Sequence, residues 1–188
     1  MKPKILIIIA IILLVFIGGV CAEVRIRPEK WAQPVIGSSL KNWYKIDDHL
    51  YRSEQPSENE FRIIRNFGIR AILNLRKYHS DDDKTVGIKL KLYRHKVSAG
   101  EISYADVVKT LRIIKNESSP ILVHCLHGAD RTGAVCAAYR IAFHNWSKGQ
   151  AIDELKNGGY GFHFIFDNIP KLIMNLDIKR LKMDVFQP

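Results

Sequence analysis

The stretch Ile121-Leu122-Val123-His124-Cys125-Leu126-His127-Gly128-Ala129-Asp130-Arg131-Thr132-Gly133 decides how the rest of the chain reads. It begins with a short apolar run, and an Ala-rich helical pattern follows it from Val135 to His144. A buried strand, a tight loop and a helix N-terminus account for that order. Such a loop aims free backbone N–H groups and the positive end of a helix dipole at one spot, which suits a phosphate dianion. Cys125 opens the loop and Arg131 closes it, with five residues between. That spacing lets the sulfur lie at the floor of an amide cradle while the guanidinium folds over the rim. The N–H groups that hold a phosphate also favour a thiolate. A planar Arg bonds two phosphate oxygens at once, which Lys cannot. Thr132 adds a hydroxyl beside the sulfur, and Gly128 and Gly133 let the backbone approach closely.

These residues resemble the active-site loop of the cysteine-dependent phosphatases, written His-Cys-five residues-Arg-Ser/Thr. The preceding His124, the internal Gly128, the following Thr132-Gly133 and the strand–loop–helix context all match. The segment Leu50-Tyr51-Arg52-Ser53-Glu54-Gln55-Pro56, a helical pattern, then Gly68-Ile69-Arg70-Ala71-Ile72-Leu73-Asn74-Leu75-Arg76 resembles the front half of atypical dual-specificity phosphatases. The resemblance therefore runs from about Leu50 to Gly161. It implies an α/β fold with a central, mostly parallel sheet flanked by helices and a shallow dual-specificity pocket. The residues themselves support a two-step phosphoryl transfer. Cys125 attacks phosphorus in line, Arg131 and the loop amides bind the equatorial oxygens, and an acid protonates the leaving oxygen. Water then hydrolyses the phosphocysteine. Leu126, His127, Gly128, Ala129, Asp130, Arg131 and Thr132 form the substrate-binding set, and no metal or cofactor is expected.

The family usually carries its acid as an Asp on a separate loop. The matching region here, Val97-Ser98-Ala99-Gly100-Glu101-Ile102-Ser103, has no Asp before Asp106, which already sits in a helical pattern. Two candidates remain. Asp130 stands beside Arg131, where myotubularin-like phosphatases also carry Asp; its structural alternative is an ion pair that braces the loop. Glu101 lies in the expected loop; its alternative is a solvated residue ahead of the Ser103 cap. Asp130 is taken first, with Cys125 and Arg131, as the catalytic set. His124 is read as ordering the loop, and His95, His127 and His163 as ordinary imidazoles. Leu126 and Ala129 are not basic, which favours phosphotyrosine or mixed phosphoprotein substrates over highly charged inositol lipids. Inositol phosphates or other small phosphates are the alternative, as is a binding module that holds phosphate without turnover.

The net charge of +10 in 188 residues suits an anionic substrate or equally simple solubility. No nucleic-acid partner is implied. Of the three cysteines, Cys21 is in the leader, and Cys125 and Cys136 would stand about 16 Å apart along continuous helix, too far for a disulfide. Met1-Lys2-Pro3-Lys4 precedes thirteen unbroken apolar residues, Ile5 to Ile17, and Val20-x-Ala22 fits a cleavage site. Residues 1–22 thus read as a signal peptide or membrane anchor, with lipidation at Cys21 as a third option. Each exports the domain to the periplasm or to the periplasmic face of the inner membrane. Residues 23–40 read as a linker or extension and 41–188 as the phosphatase domain.

Within that domain the patterns predict a hairpin around Asp47-Asp48-His49 and a helix over 58–67, opened by the Ser57-x-x-Glu60 capping box and closed by Gly68. Strands follow over 69–75 and 89–95, and helices over 104–115, 148–156 and 169–182. Asp81-Asp82-Asp83 reads as a solvated loop.

Overall fold

The computed structural model describes residues 27–187. The leader with Cys21, and every expectation placed on it, lies outside them. Among the described residues no helix is long and apolar enough to cross a membrane.

Six strands form one sheet: β1 (Gln33–Pro34), β2 (Tyr44–Lys45), β3 (Leu50–Ser53), β4 (Ala71–Arg76), β5 (Lys91–Val97) and β6 (Ile121–His124). Their spatial order is β1-β2-β3-β6-β4-β5. β1–β2 and β2–β3 are antiparallel, and β3–β6, β6–β4 and β4–β5 are parallel. The helices are α1 (Glu58–Phe67), α2 (Tyr104–Asn116), α3 (Asp130–His144), α4 (Lys148–Asn157), α5 (Asn168–Met174) and α6 (Ile178–Phe186).

The central strands are buried on both faces, and the period of two sorts their side chains. Leu50, Leu73, Leu75, Ile121 and Val123 belong to one core with residues of α2 to α6. Tyr51, Ile72 and Leu122 point the other way, onto Phe61 and Ile64 of α1 and the ring of Trp43. The helix starts are chemical. Ser57–Glu60, Ser103–Asp106 and Ser147–Gln150 each form a reciprocal capping box, and losing such a cap costs about 1 kcal/mol. Gly68 closes α1 at φ 114°.

Two expectations change. The single helix over 169–182 is two, because Asn175-Leu176-Asp177 interrupts it and the Asp177 side chain caps a new start by accepting the Arg180 N–H. The Asp81 carboxylate is not solvated: Asp81 is 3% exposed and meets the buried His124 ring at 2.9 Å. Residues 27–40 lie against the domain, with Trp31, Ala32 and Leu40 buried. Arg27 donates to the Gly158 carbonyl and the Tyr160 hydroxyl, each at 2.6 Å.

The three parallel neighbours end together. Ser53 of β3 and Asn74 of β4 both stand opposite His124 of β6. The chain leaving each strand therefore converges on Cys125, at the carboxyl edge where open sheets place their ligands.

Candidate active site

Cys125 follows β6 directly and is 1% exposed; α3 begins five residues later. The loop between them is fixed through its carbonyls. Leu126 O accepts the Gln55 N–H at 3.1 Å. His127 O accepts from Asn42 Nδ2 at 2.7 Å, and Gly128 O accepts from Arg52 Nη2. With the carbonyls engaged outward, the N–H groups of Leu126 to Arg131 bond to nothing among the described residues. Gly128 has φ 68°, and a Cβ there would stand 2.5 Å from Ser53 backbone atoms. Only glycine satisfies both the left-handed turn and the close approach. Gly133 serves packing: a Cβ on it would overlap Leu155 of α4.

Arg131 reaches the Val97 carbonyl with Nη1 at 3.4 Å, but its Nε is buried without a partner. Thr132 Oγ1 is buried without a partner as well. Buried polar atoms are rarely left unpaired. An oxyanion in the loop would satisfy both, together with the free N–H groups.

Several buried side chains hold this arrangement. Arg52, 1% exposed, lies with its guanidinium 3.5 Å from the Tyr160 ring centroid while it holds Gly128. His124 is fully buried; Nε2 meets Asp81 Oδ2 at 2.9 Å and Nδ1 meets the Cys125 carbonyl at 3.2 Å. The ordering role read for His124 thus has a partner in Asp81, whose Oδ1 accepts from Gln55 Nε2 at 2.8 Å. Burial pushes the Asp81 carboxyl up, but the hydrogen bonds from His124 and Gln55 outweigh it and hold it below the usual range. Nothing local in Asp81-Asp82-Asp83 marks the first Asp as buried, because its partner is 43 residues away.

A pocket of about 340 Å³ opens over the loop. Its walls are Arg76 at the end of β4 with Lys77 and Tyr78 after it, Val97 at the end of β5 with Ser98 to Gly100 after it, Leu126 and Arg131 of the loop, and Phe166. The positive charge absent from Leu126 and Ala129 is therefore supplied from β4. Arg76 is held by Gln55 Oε1 at 3.1 Å, and burial with the nearby Arg131 lowers its affinity for a proton.

Of the acid candidates, Asp130 is 6% exposed and engaged by His163. Its Oδ1 accepts the His163 backbone N–H at 2.9 Å, and its Oδ2 meets His163 Nδ1 at 2.9 Å. His163 is thus a partner of the loop and not an idle imidazole; it lies 33 residues away with no sequence signal of the pairing. Glu101 ends a one-turn helix and is exposed, beside but not within the pocket wall. Asp106 is spent on the Ser103 cap and on His95, which it meets at 2.8 Å. Cys136 is buried and free, its thiol pushed up to about 11 by burial, so it is no competing nucleophile.

The sequence model of the tyrosine phosphatase family matches residues 39–161. The chain belongs to the tyrosine phosphatase family. Among relatives of this family, the dual specificity protein phosphatase TpbA of Pseudomonas aeruginosa is 28% identical over 161 residues, 84% of this chain and 72% of its own. The inositol diphosphatase DSP5 of Arabidopsis thaliana is 24% identical over 154 residues, 77% of this chain and 74% of its own. A Cys-to-Ser form of Pseudomonas aeruginosa TpbA, solved in complex with phosphotyrosine, superposes with a TM-score of 0.78 at 25% identity, covering 87% of this chain and all of that one. The catalytic core of the Saccharomyces cerevisiae phosphatase Siw14, solved with citrate, gives 0.62 at 25% identity over 76% of this chain and 91% of that one. The family's mostly parallel sheet, flanked by helices, is the fold found here.

Proposed function

We propose that this tyrosine phosphatase family member hydrolyses phosphotyrosine in proteins through a phosphocysteine on Cys125. The observation that carries the reading is the set of unpaired donors around that sulfur: the loop N–H groups, Arg131 Nε and Thr132 Oγ1. Fixed donors that need no rearrangement stabilise the charge developing on the phosphoryl oxygens. Cys125 Sγ forms its bond to phosphorus as the ester oxygen leaves; water then takes the phosphoryl group from sulfur, releasing phosphate and the thiolate. Leu126, His127, Gly128 and Ala129 act through their backbone, Arg131 and Thr132 through their side chains. Tyr78 and Phe166 supply aromatic walls for the ring of a phosphotyrosine.

For the leaving oxygen we assign the proton to Asp130 and its His163 partner, ahead of Glu101, because Asp130 is part of the loop. Asp130→Asn should slow phosphotyrosine peptides by about 10²–10⁴-fold, while aryl phosphates with good leaving groups lose much less. A uniform loss would make Asp130 a brace. The exchange of behaviour with Glu101→Gln would move the role to Glu101.

Arg76 and Lys77 favour a second reading, in which a substrate with several phosphates, such as an inositol phosphate, spans the pocket. The test is kcat/KM for a phosphotyrosine peptide against an inositol polyphosphate. A preference of at least about tenfold for the peptide, little changed by Lys77→Ala, is expected. A preference for the polyphosphate that Lys77→Ala removes would favour the second reading. Turnover of an activated aryl phosphate separates either enzyme from a module that only binds. Vanadate should inhibit competitively and EDTA should not inhibit.

We also propose, from residues 1–22 alone, that the domain is exported. A fusion of residues 1–40 to a reporter active only outside the cytoplasm should be active in bacteria; a silent, stably expressed fusion contradicts this.

A further inference from the structure

On the side of the phosphate loop away from Arg76 lies a second recess, about 390 Å³, lined by Asn42, Glu54, His127 and His163 among others. Asp130 stands behind His163, whose backbone N–H and Nδ1 both meet its carboxylate. The ligand-capable atoms of His127, Asp130 and His163 all lie within 4.8 Å of one another. The two imidazole rings are tilted against each other with centroids 5.3 Å apart. Two exposed imidazoles with one buried carboxylate behind them are a ligand set suited to a borderline transition metal and not to Mg²⁺ or Ca²⁺, which want oxygen.

We propose that His127, Asp130 and His163 form a Zn²⁺ site that inhibits the enzyme. Metal–ligand bonds of about 2.0–2.2 Å in a tetrahedral site need ligand atoms about 3.4 Å apart. The Asp130 Oδ2 to His163 Nδ1 separation of 2.9 Å opens slightly to admit the ion, and no other gap need close by more than about 1.4 Å. His127 is exposed and the His163 side chain is 47% exposed, so both rings are free to make that rotation. Asp130 need not move. Its Oδ1 is held by the His163 backbone N–H at 2.9 Å, which orients Oδ2 toward the rings as an outer-shell hydrogen bond does in metal sites. Glu54 and Lys41 both line the recess and offset one another, and the fourth position stays open for water. Zn²⁺ here takes the place of the Asp130–His163 contact and clamps the 163 segment to the phosphate loop, so turnover stops while the ion is bound. No step of the phosphoryl transfer runs through it.

The probe is Zn²⁺ alone, titrated calorimetrically into the full chain, with Co²⁺ absorption reporting the ligand set. One ion per chain is expected, with Co²⁺ bands of a four-coordinate nitrogen–oxygen site and no thiolate charge-transfer band. His127→Ala and His163→Ala, both at exposed rings, should each weaken binding at least about tenfold. Cys125→Ser should bind as the native chain does. EDTA should restore the activity that Zn²⁺ removes, in proportion to the ion released. Native Zn²⁺ affinity in either histidine variant overturns the site. So does loss of binding in Cys125→Ser with a thiolate band in the native chain, which would put the ion on the nucleophile. Absence of binding overturns it outright. Binding is read separately from turnover, so the site stands or falls whether or not Asp130 donates a proton, while full activity with the ion bound would overturn the inhibition.

Discussion

Gly128→Ala gives the sharpest structural test of the phosphate loop. Two costs meet at that position. A side chain at φ 68° costs about 1–2 kcal/mol. The added Cβ would also stand 2.5 Å from the Ser53 carbonyl carbon and oxygen and 2.6 Å from the Glu54 nitrogen. These are backbone atoms of the sheet edge and cannot swing aside. To reach ordinary contact the loop must retreat by about 0.9 Å, which stretches the Arg52 hydrogen bond to Gly128 O and displaces the cradle from the sulfur. A misplacement of about 1 Å costs about 10²-fold in rate. The expected result is a fall in kcat/KM of that order, equal for good and poor leaving groups, with a parallel fall in vanadate affinity. Gly159→Ala is the control, because Gly159 has φ 75° and nothing within 4 Å of a Cβ. It should lose about 1–2 kcal/mol of stability and keep its activity. Native vanadate affinity in a folded Gly128→Ala protein would refute the reasoning.

Other outcomes follow from single side chains. Asp81→Asn leaves buried His124 facing an amide in place of a carboxylate and should lower stability by about 1–3 kcal/mol in urea unfolding, with reduced kcat; an unchanged midpoint would remove Asp81 from its role. Burial pushes the Glu117 carboxyl up, but hydrogen bonds from the Ser119 N–H, Tyr93 and Lys91 outweigh it and bring it to about 2, from an ordinary 4.5. The unfolded chain therefore takes up this proton first, and the stabilisation, full above about pH 4.5, is lost as pH falls toward 2. Glu117→Gln should be the less stable protein at pH 7 and should converge on the native one near pH 2; parallel melting curves across that range would contradict it. Arg52→Lys keeps charge but loses the flat stack on Tyr160 and the planar hold on Gly128. It should weaken vanadate binding without a change in leaving-group dependence, as read by inhibition constants.

The sheet and most helices were legible because each announces itself locally. Ser57-x-x-Glu60 and Gly68 mark both ends of α1, and the run Ile121-Leu122-Val123 marks β6. The final helix misled because Leu172, Ile173, Leu176 and Leu181 continue one apolar stripe across the break, and only the Asp177 cap reveals it. Cys125, Arg131 and Thr132 were proposed from spacing alone, since all three lie in one run of eight consecutive residues. What braces the loop was not. Asp81, Arg52, Asn42 and His163 reach it from four other segments, and each contact is made only when the carboxyl ends of β3, β4 and β6 are brought together. Asp81 also sits beside two acidic neighbours that disguise it as a solvent-facing run.

The phosphocysteine is the centre of the account, and it can be seen directly. The native chain is mixed with an aryl phosphate, quenched in acid within the first turnovers, digested and analysed by mass spectrometry. The peptide containing Cys125 should carry one phosphoryl group on sulfur, and Cys125→Ser should release no product while still binding vanadate. Steady turnover with no phosphoryl group on that peptide, or measurable turnover by pure Cys125→Ser, would contradict the account.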